Sequence, residues 1–167
     1  DFNFDTTSSI DVTSGNVLAM IQMGGGSFTH AGTVVANGAT DGGISSLNAT
    51  GAYSVSFTGT VDFGSTTSMG SSGVFVDNNG QAGTFSFANL ILDIDGGFGI
   101  VMQNGGSLGI ASGSIDVTGG PAFTLTSSDI DAGGINLSSL TNANSGSGIG
   151  MTTVSGGAFT VSGTTTV

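Results

Sequence analysis

The chain is 167 residues long, enough for one domain with a continuous interior. It carries 11 acidic residues and neither Lys nor Arg, a formal charge of −11, so it has nothing with which to displace counterions from phosphate or to meet an anionic membrane surface. No nucleic-acid partner and no membrane insertion are therefore expected, anionic polysaccharides are repelled at long range, and with no Cys there is neither disulfide nor thiol chemistry.

Glycine supplies 32 residues and proline 1, while apolar residues make up 37%. The apolar residues fall in short alternating groups, which separates this chain from a disordered Gly/Ser linker. There is no starting Met, no signal peptide and no apolar run of about eighteen residues. The chain reads as a mature protein or an excised piece of a longer one.

Taken in order, Asp1 to Asp5 alternates strictly, and Ser9-Ile10-Asp11-Val12-Thr13 reproduces Ser114-Ile115-Asp116-Val117-Thr118. An apolar cluster of Val17, Leu18, Met20, Ile21 and Met23 then turns at Gly24-Gly25-Gly26. Matching Gly25 to Phe28 onto Gly105 to Leu108 puts His30 where Ile110 sits, an inward position. Residues 36 to 50 read as a small-residue loop or outer strand, and Asp41 to Leu47 echoes Asp131 to Leu140. Tyr53, Val55 and Phe57 alternate, Val61-Asp62-Phe63 repeats an apolar, Asp, apolar triplet, and Gly73 to Gly80 matches Gly99 to Gly106 position for position. Gly148 to Met151 begins the same unit again.

The strongest repeat is Thr84 to Gly97, which returns 23 residues later, without a gap, as Ser107 to Gly120. Phe85, Phe87, Leu92 and Ile94 fall on Leu108, Ile110, Ile115 and Val117, and Asp93 falls on Asp116. That period is longer than a hairpin and too poor in helix formers for a βαβ unit, so it predicts one coil of a β-solenoid. Each short strand then pairs in parallel with its equivalent one coil away. The expected fold is all-β, a single β-solenoid domain over residues 1–167. It has roughly six to seven coils of about 20–27 residues, no substantial helix, and a rod length of about 35 Å. Right-handedness follows from the general rule for parallel crossovers.

The pattern resembles the right-handed parallel β-helix, and more narrowly the Gly/Thr/Ser-rich repeats of large bacterial surface or secreted proteins such as adhesins and autotransporter passenger regions. The residues that carry the resemblance are the recurring Gly-Gly, Gly83 to Phe87, Ser114 to Gly120 and Gly156 to Val161. It implies an extracellular or cell-surface role as stalk, adhesin or matrix element, without catalysis, with surface glycans as partners. No cap is visible at either end, so the other expected partners are flanking β-helix coils or copies of the chain stacked end to end into filaments. Polysaccharide lyases and hydrolases share the fold class, but this chain lacks the basic residues that those lyases use. The alternative is a carbohydrate-active β-helix that works on neutral glycans through a stacked Asp pair.

Candidate chemistry is sparse. Asp93 and Asp116, one coil apart, form an outward carboxylate stripe with Asp62 before and Asn136 after. Such a stripe is solvated, or bridged by calcium, which favours oxygen ligands and would relieve like-charge repulsion. Asp62, Asp93 and Asp116 are the calcium candidates, although no Gly-Gly-x-Gly-x-Asp calcium repeat is present. No other cofactor is expected. The pairs Asp93/Asp95 and Asp129/Asp131 share strand faces at i, i+2 but are weak signals alone. His30, the single imidazole, can build neither a zinc site nor a supported triad, and is read as a hydrogen-bonded structural residue. Most Phe residues alternate into the core, whereas Phe75 and Phe98 fall out of phase and are surface candidates. Asn48 and Asn136 fit the glycosylation acceptor pattern. A flat Thr-x-Thr ice-binding face is not kept from coil to coil.

Overall fold

A computed structural model describes residues 1–12, 15–38, 42–143 and 148–167. Among these residues the chain forms strands and turns only, and no helix is long and apolar enough to cross a membrane. Eighteen strands are described: β1(Phe2–Phe4), β2(Ser9–Val12), β3(Leu18–Ile21), β4(Ser27–His30), β5(Thr33–Ala36), β6(Ile44–Leu47), β7(Tyr53–Phe63), β8(Val74–Asp77), β9(Gly83–Ile94), β10(Ile100–Gln103), β11(Ser107–Ile110), β12(Gly113–Val117), β13(Phe123–Thr126), β14(Asp129–Leu137), β15(Ser139–Asn142), β16(Ile149–Thr152), β17(Phe159–Val161) and β18(Thr165–Thr166).

All the strand pairs are parallel, and each joins one coil to the next. One face is a six-stranded sheet in the order β3-β6-β8-β10-β13-β16. The other two faces belong to a bent twelve-stranded sheet. Its first column runs β1-β4-β7-β9-β11-β14-β17, and its second runs β2-β5-β7-β9-β12-β15-β18, with the long strands β7 and β9 crossing the bend. The chain is thus a β-solenoid of about six turns with three strands per coil. In the twelve-stranded sheet the 23-residue period holds from β9 to β11 and β12, and in the six-stranded sheet only from β10 to β13. Elsewhere in the six-stranded sheet successive partners lie 26, 30, 26 and 26 residues apart, so the coil from β6 to β8 is longer than the expected range. The extra length sits in turns, where a solenoid tolerates insertion without disturbing its ladders.

Alternation drives the core. Phe28, His30, Phe57, Phe87, Ile110 and Ile135 point inward because every second residue of a strand shares a face. The columns they form are read directly from register: Phe4, His30, Phe57, Phe87, Ile110, Ile135 and Phe159 stack in order. Phe57 and Phe87 lie flat on each other, with centroids 5.2 Å apart and planes within 2°. The six-stranded sheet contributes Leu18, Ile44, Val74, Ile100, Phe123 and Ile149 as one inward column. Burying each such side chain is worth about 1.5–3 kcal/mol, which offsets the absence of disulfides and ion pairs.

Two local devices shape the coils. The strand of the six-stranded sheet is followed in every coil by a residue in the left-handed region: Gln22, Asn48, Asn79, Asn104, Ser127 and Thr153, with φ between 49° and 60°. Only in the third of these coils does an extra residue intervene, Asn78, whose side chain turns inward and is fully buried. There it completes an interior chain of hydrogen bonds. The Tyr53 hydroxyl donates to Asn78 Oδ1, which leaves Ser46 Oγ as the donor to Tyr53 at 2.9 Å, and Asn78 Nδ2 donates to the Gly105 carbonyl at 2.6 Å. Burial pushes the Tyr53 phenol up, against a smaller opposing effect of the Ser46 hydrogen bond. Gly83 and Gly106 are glycines because a Cβ would meet the Tyr53 ring at 2.5 Å and Asn78 Nδ2 at 2.3 Å respectively.

Three expectations are refined. Of the loop or outer strand expected over residues 36 to 50, the strand alternative holds at 44–47, which joins the six-stranded sheet with Ile44 and Ser46 buried. The echo between 41–47 and 131–140 is therefore not a stacking relation, since Ile135 to Leu140 lies in the twelve-stranded sheet, while Asp41 lies outside the described residues. Finally, Ser9 to Val12 is not the equivalent of Ser114 to Val117. Following register, Val12 enters the column of Ile115, while Ile10 enters that of Gly113. A slip of two residues keeps every side chain on its face, so alternation alone cannot detect it.

Candidate functional site

The same two-residue slip dissolves the acidic stripe. Asp93 and Asp116 are register partners, as expected, and the ladder puts their strands about 4.8 Å apart. Asp62, however, stands opposite Ile91 and shares its column with Asp11 and Val35. Asn136 belongs to the first column of the bent sheet, opposite Thr160, and the residue after Asp116 in its own column is Thr141. The Asn136 match misled because β14 carries an irregularity in its pairing with β11, between Leu108 and Ile110. Of the calcium candidates, the fold brings together only two, and among the described residues no group of three or more His, Cys, Asp or Glu side chains could hold a metal ion.

Eight of the described carboxylates instead take neutral donors, five of them from the following coil, while Asp11 and Asp93 take none. Asp1 Oδ1 accepts from Ser27 N and Oγ at 2.9 and 3.0 Å, Asp95 Oδ1 from Thr118 Oγ1 at 3.1 Å, Asp116 from Thr141 Oγ1 at 2.5 Å, and Asp129 from Ser155 Oγ at 2.6 Å. Asp77 is the most fully held: Gln103 Nε2 donates to one oxygen at 2.9 Å and Asn104 Nδ2 to the other at 3.0 Å. The Asn104 and Gln103 hydrogen bonds hold its carboxyl below the ordinary carboxylate value, against a smaller opposing effect of burial and with a further contribution from Asn79 N–H. Asp62, Asp131 and Asp5 are closed within their own turns, by Ser65, by the Gly133 N–H, and by Thr7 with Ser8. For Asp5, which is fully exposed, the Thr7 hydroxyl is the largest cause of a lowered pKa. A carboxylate that receives two or more neutral donors is stabilised as an anion without any cation.

His30 is 1% exposed and inward, as its match to Ile110 predicts. It is not hydrogen-bonded: neither ring nitrogen has a partner. The ring sits between Phe4 and Phe57, with centroids at 5.7 and 6.4 Å, because the column supplies only aromatic and aliphatic neighbours. Phe75 and Phe98 do reach the outside, half-buried against each other at 5.8 Å. Asn48 occupies an exposed left-handed corner. Asn136 is exposed but lies within β14, where its amide donates to Gly133 O at 3.3 Å.

A shallow groove of about 430 Å³ lies at the bend of the twelve-stranded sheet. Asn89, Ile91, Ser112, Asn136, Leu137 and Thr160 line it, and no carboxylate does. Sequence reasoning missed the Asp77 cluster and the corner column. The signal was present in Asp77-Asn78-Asn79-Gly80 over Gln103-Asn104-Gly105-Gly106, read as a position-for-position repeat without noting that it sets a carboxylate against two carboxamides. No family model, no curated protein and no solved structure matches the chain.

Proposed function

We propose that the chain is a non-catalytic structural module of an extracellular or cell-surface protein, a rod segment of a stalk, adhesin or matrix. The observation that carries this reading is the uninterrupted run of parallel strand pairs through all three faces. A ladder in which every coil binds the next can transmit load along its axis, as stacked repeats do. The outward side chains are consistent with that role, since the carboxylates of one coil are tied to hydroxyls and carboxamides of the next. The resemblance to large bacterial surface proteins supports the placement outside the cell.

Pulling a single chain by its two ends in a force spectrometer tests the reading. A load-bearing rod gives discrete resisting steps as coils detach, and smooth extension without a resisting step removes the proposal. Turnover of a neutral glycan that disappears in Asp116→Asn would replace it with an enzymatic role.

A further inference from the structure

Among the described residues, the outer face of the six-stranded sheet is unlike the rest of the surface. Asp77 is the single charged residue in its strands, whereas the other described carboxylates lie in the bent sheet or in the turns that adjoin it. Two outward columns run along this face. Ser45, Phe75, Val101 and Thr124 follow one another in the first, and Leu47, Asp77, Gln103 and Thr126 in the second. Phe98, from the turn before β10, leans on Phe75 with ring centroids 5.8 Å apart and planes tilted by 54°. Both rings are half-buried, and so are Leu47 and Val101.

Phe75 and Asp77 share one face of β8 at i, i+2, which sets them about 6.7 Å apart along the strand. The carboxylate is fixed in place. Asn104 Nδ2 and the Asn79 N–H donate to Oδ1 at 3.0 and 3.1 Å, and Gln103 Nε2 donates to Oδ2 at 2.9 Å. Each carboxylate oxygen has room for about two donors, so Oδ2 keeps one acceptor direction open. An aromatic pair and a held anion thus stand side by side.

Whatever covers the rings also covers the carboxylate, and burying that charge unpaired is costly. A second copy brings no Lys or Arg and adds 11 acidic residues of its own, and any other anionic partner is repelled for the same reason. A neutral glycan offers hydroxyl donors, but a hydrogen bond from a cation to a carboxylate is roughly twice as strong, and the faces of the Phe rings attract a cation as well. Of the cationic side chains, guanidinium lies flat on a ring while its N–H groups point outward in its own plane at an acceptor, which a compact ammonium cannot do. We propose that this face docks an arginine-bearing segment of another protein. Its guanidinium lies over Phe75 and Phe98 and donates to Asp77 Oδ2, and its apolar neighbours rest on Leu47 and Val101. The face runs along the side of the solenoid, so the proposal stands or falls apart from the rod reading.

Titration with the tripeptide N-acetyl-Leu-Arg-Leu-amide at low ionic strength, followed by backbone amide chemical shifts, tests it. The shifts cluster in β8 and β10. Phe75→Ala weakens the apparent Kd by about three- to fivefold, and Asp77→Asn does so by a similar factor. Asp93→Asn, which removes the same charge from the bent sheet, leaves the Kd unchanged, and replacing the arginine with uncharged citrulline abolishes the shifts. Phe98→Ala stands in for Phe75→Ala if the far-ultraviolet circular dichroism of the latter departs from wild type. An unchanged Kd on loss of the ring overturns the site. So do shifts spread over the bent sheet or an equal loss in Asp93→Asn, because the attraction then comes from net charge alone. Citrulline that binds as tightly as arginine removes the cation from the argument. Displacement of the tripeptide by lactose gives the face to a neutral glycan instead, and self-association of the chain that Phe75→Ala abolishes gives it to a second copy; either result overturns the proposal.

Discussion

At the scale of single residues, the interior polar group without a partner is the clearest liability. Each ring nitrogen of His30 gives up a hydrogen bond to water and gains none, and an unmet buried polar group costs about 1–3 kcal/mol. Its column neighbours are Phe4 and Phe57, so His30→Phe should raise stability by about 1–2 kcal/mol, seen as a higher urea midpoint with an unchanged slope. The corner column gives a second test. A β-branched residue is strained in the left-handed region, which costs roughly 1–2 kcal/mol for residues with a Cβ and less for Asn. Thr153→Asn should therefore stabilise by about 0.5–1 kcal/mol, and Asn104→Val should destabilise by a similar amount or more, because it also removes the donor to Asp77. Asp77 sets the acid behaviour. Its folded pKa is depressed, so its contribution is present above the ordinary carboxylate value and is lost as pH falls through the folded one. The difference in melting temperature between wild type and Asp77→Asn should be constant from pH 7 to pH 5 and shrink below about pH 4; a difference independent of pH would contradict the assignment.

At the scale of strands and turns, packing around the interior hydrogen-bond chain leaves no room for a methyl group. Gly83→Ala would drive a Cβ into the Tyr53 ring, and overpacking of this kind costs about 1–3 kcal/mol; an unchanged thermal midpoint would show that the ring can yield. This is also the scale at which the sequence was legible and at which it stopped being so. Phe85, Phe87, Leu92 and Ile94 over Leu108, Ile110, Ile115 and Val117 announced both the parallel register and the inward face. A gapless repeat admits one alignment, and the ladder adopts it. Where coils change length, the period-2 signal kept the face but lost the register. Asp11 and Asp62 were thus grouped with Asp93 and Asp116, although the two sets belong to different columns. The polarity of the column around His30 was equally invisible, because a partner from another coil is a property of register, not of local pattern. The Tyr53–Asn78 contact joins residues 25 apart, a distance at which no local periodicity speaks.

At the scale of the whole molecule, stability is a sum over coils and their interfaces rather than a property of one compact core. Loss of Phe57, which is stacked within 2° on Phe87, should cost about 3–5 kcal/mol as Phe57→Ala, whereas Phe75→Ala on the outer face should cost far less. Hydrogen exchange would then show graded protection, highest in β7 and β9 and lowest in the first and last coils.

The absence of cations has one more consequence. In most acidic proteins added electrolyte has two opposed effects, since it screens repulsion between anions and also weakens ion pairs. Here no Lys or Arg is present to pair with a carboxylate, and most carboxylates take hydroxyls, carboxamides or backbone N–H groups instead, so the first effect dominates. With a charge of −11 and a Debye length that contracts from about 30 Å at 0.01 M to about 3 Å at 1 M, the melting temperature should climb steadily between those two salt concentrations. The molecule is built to be firmest in brine.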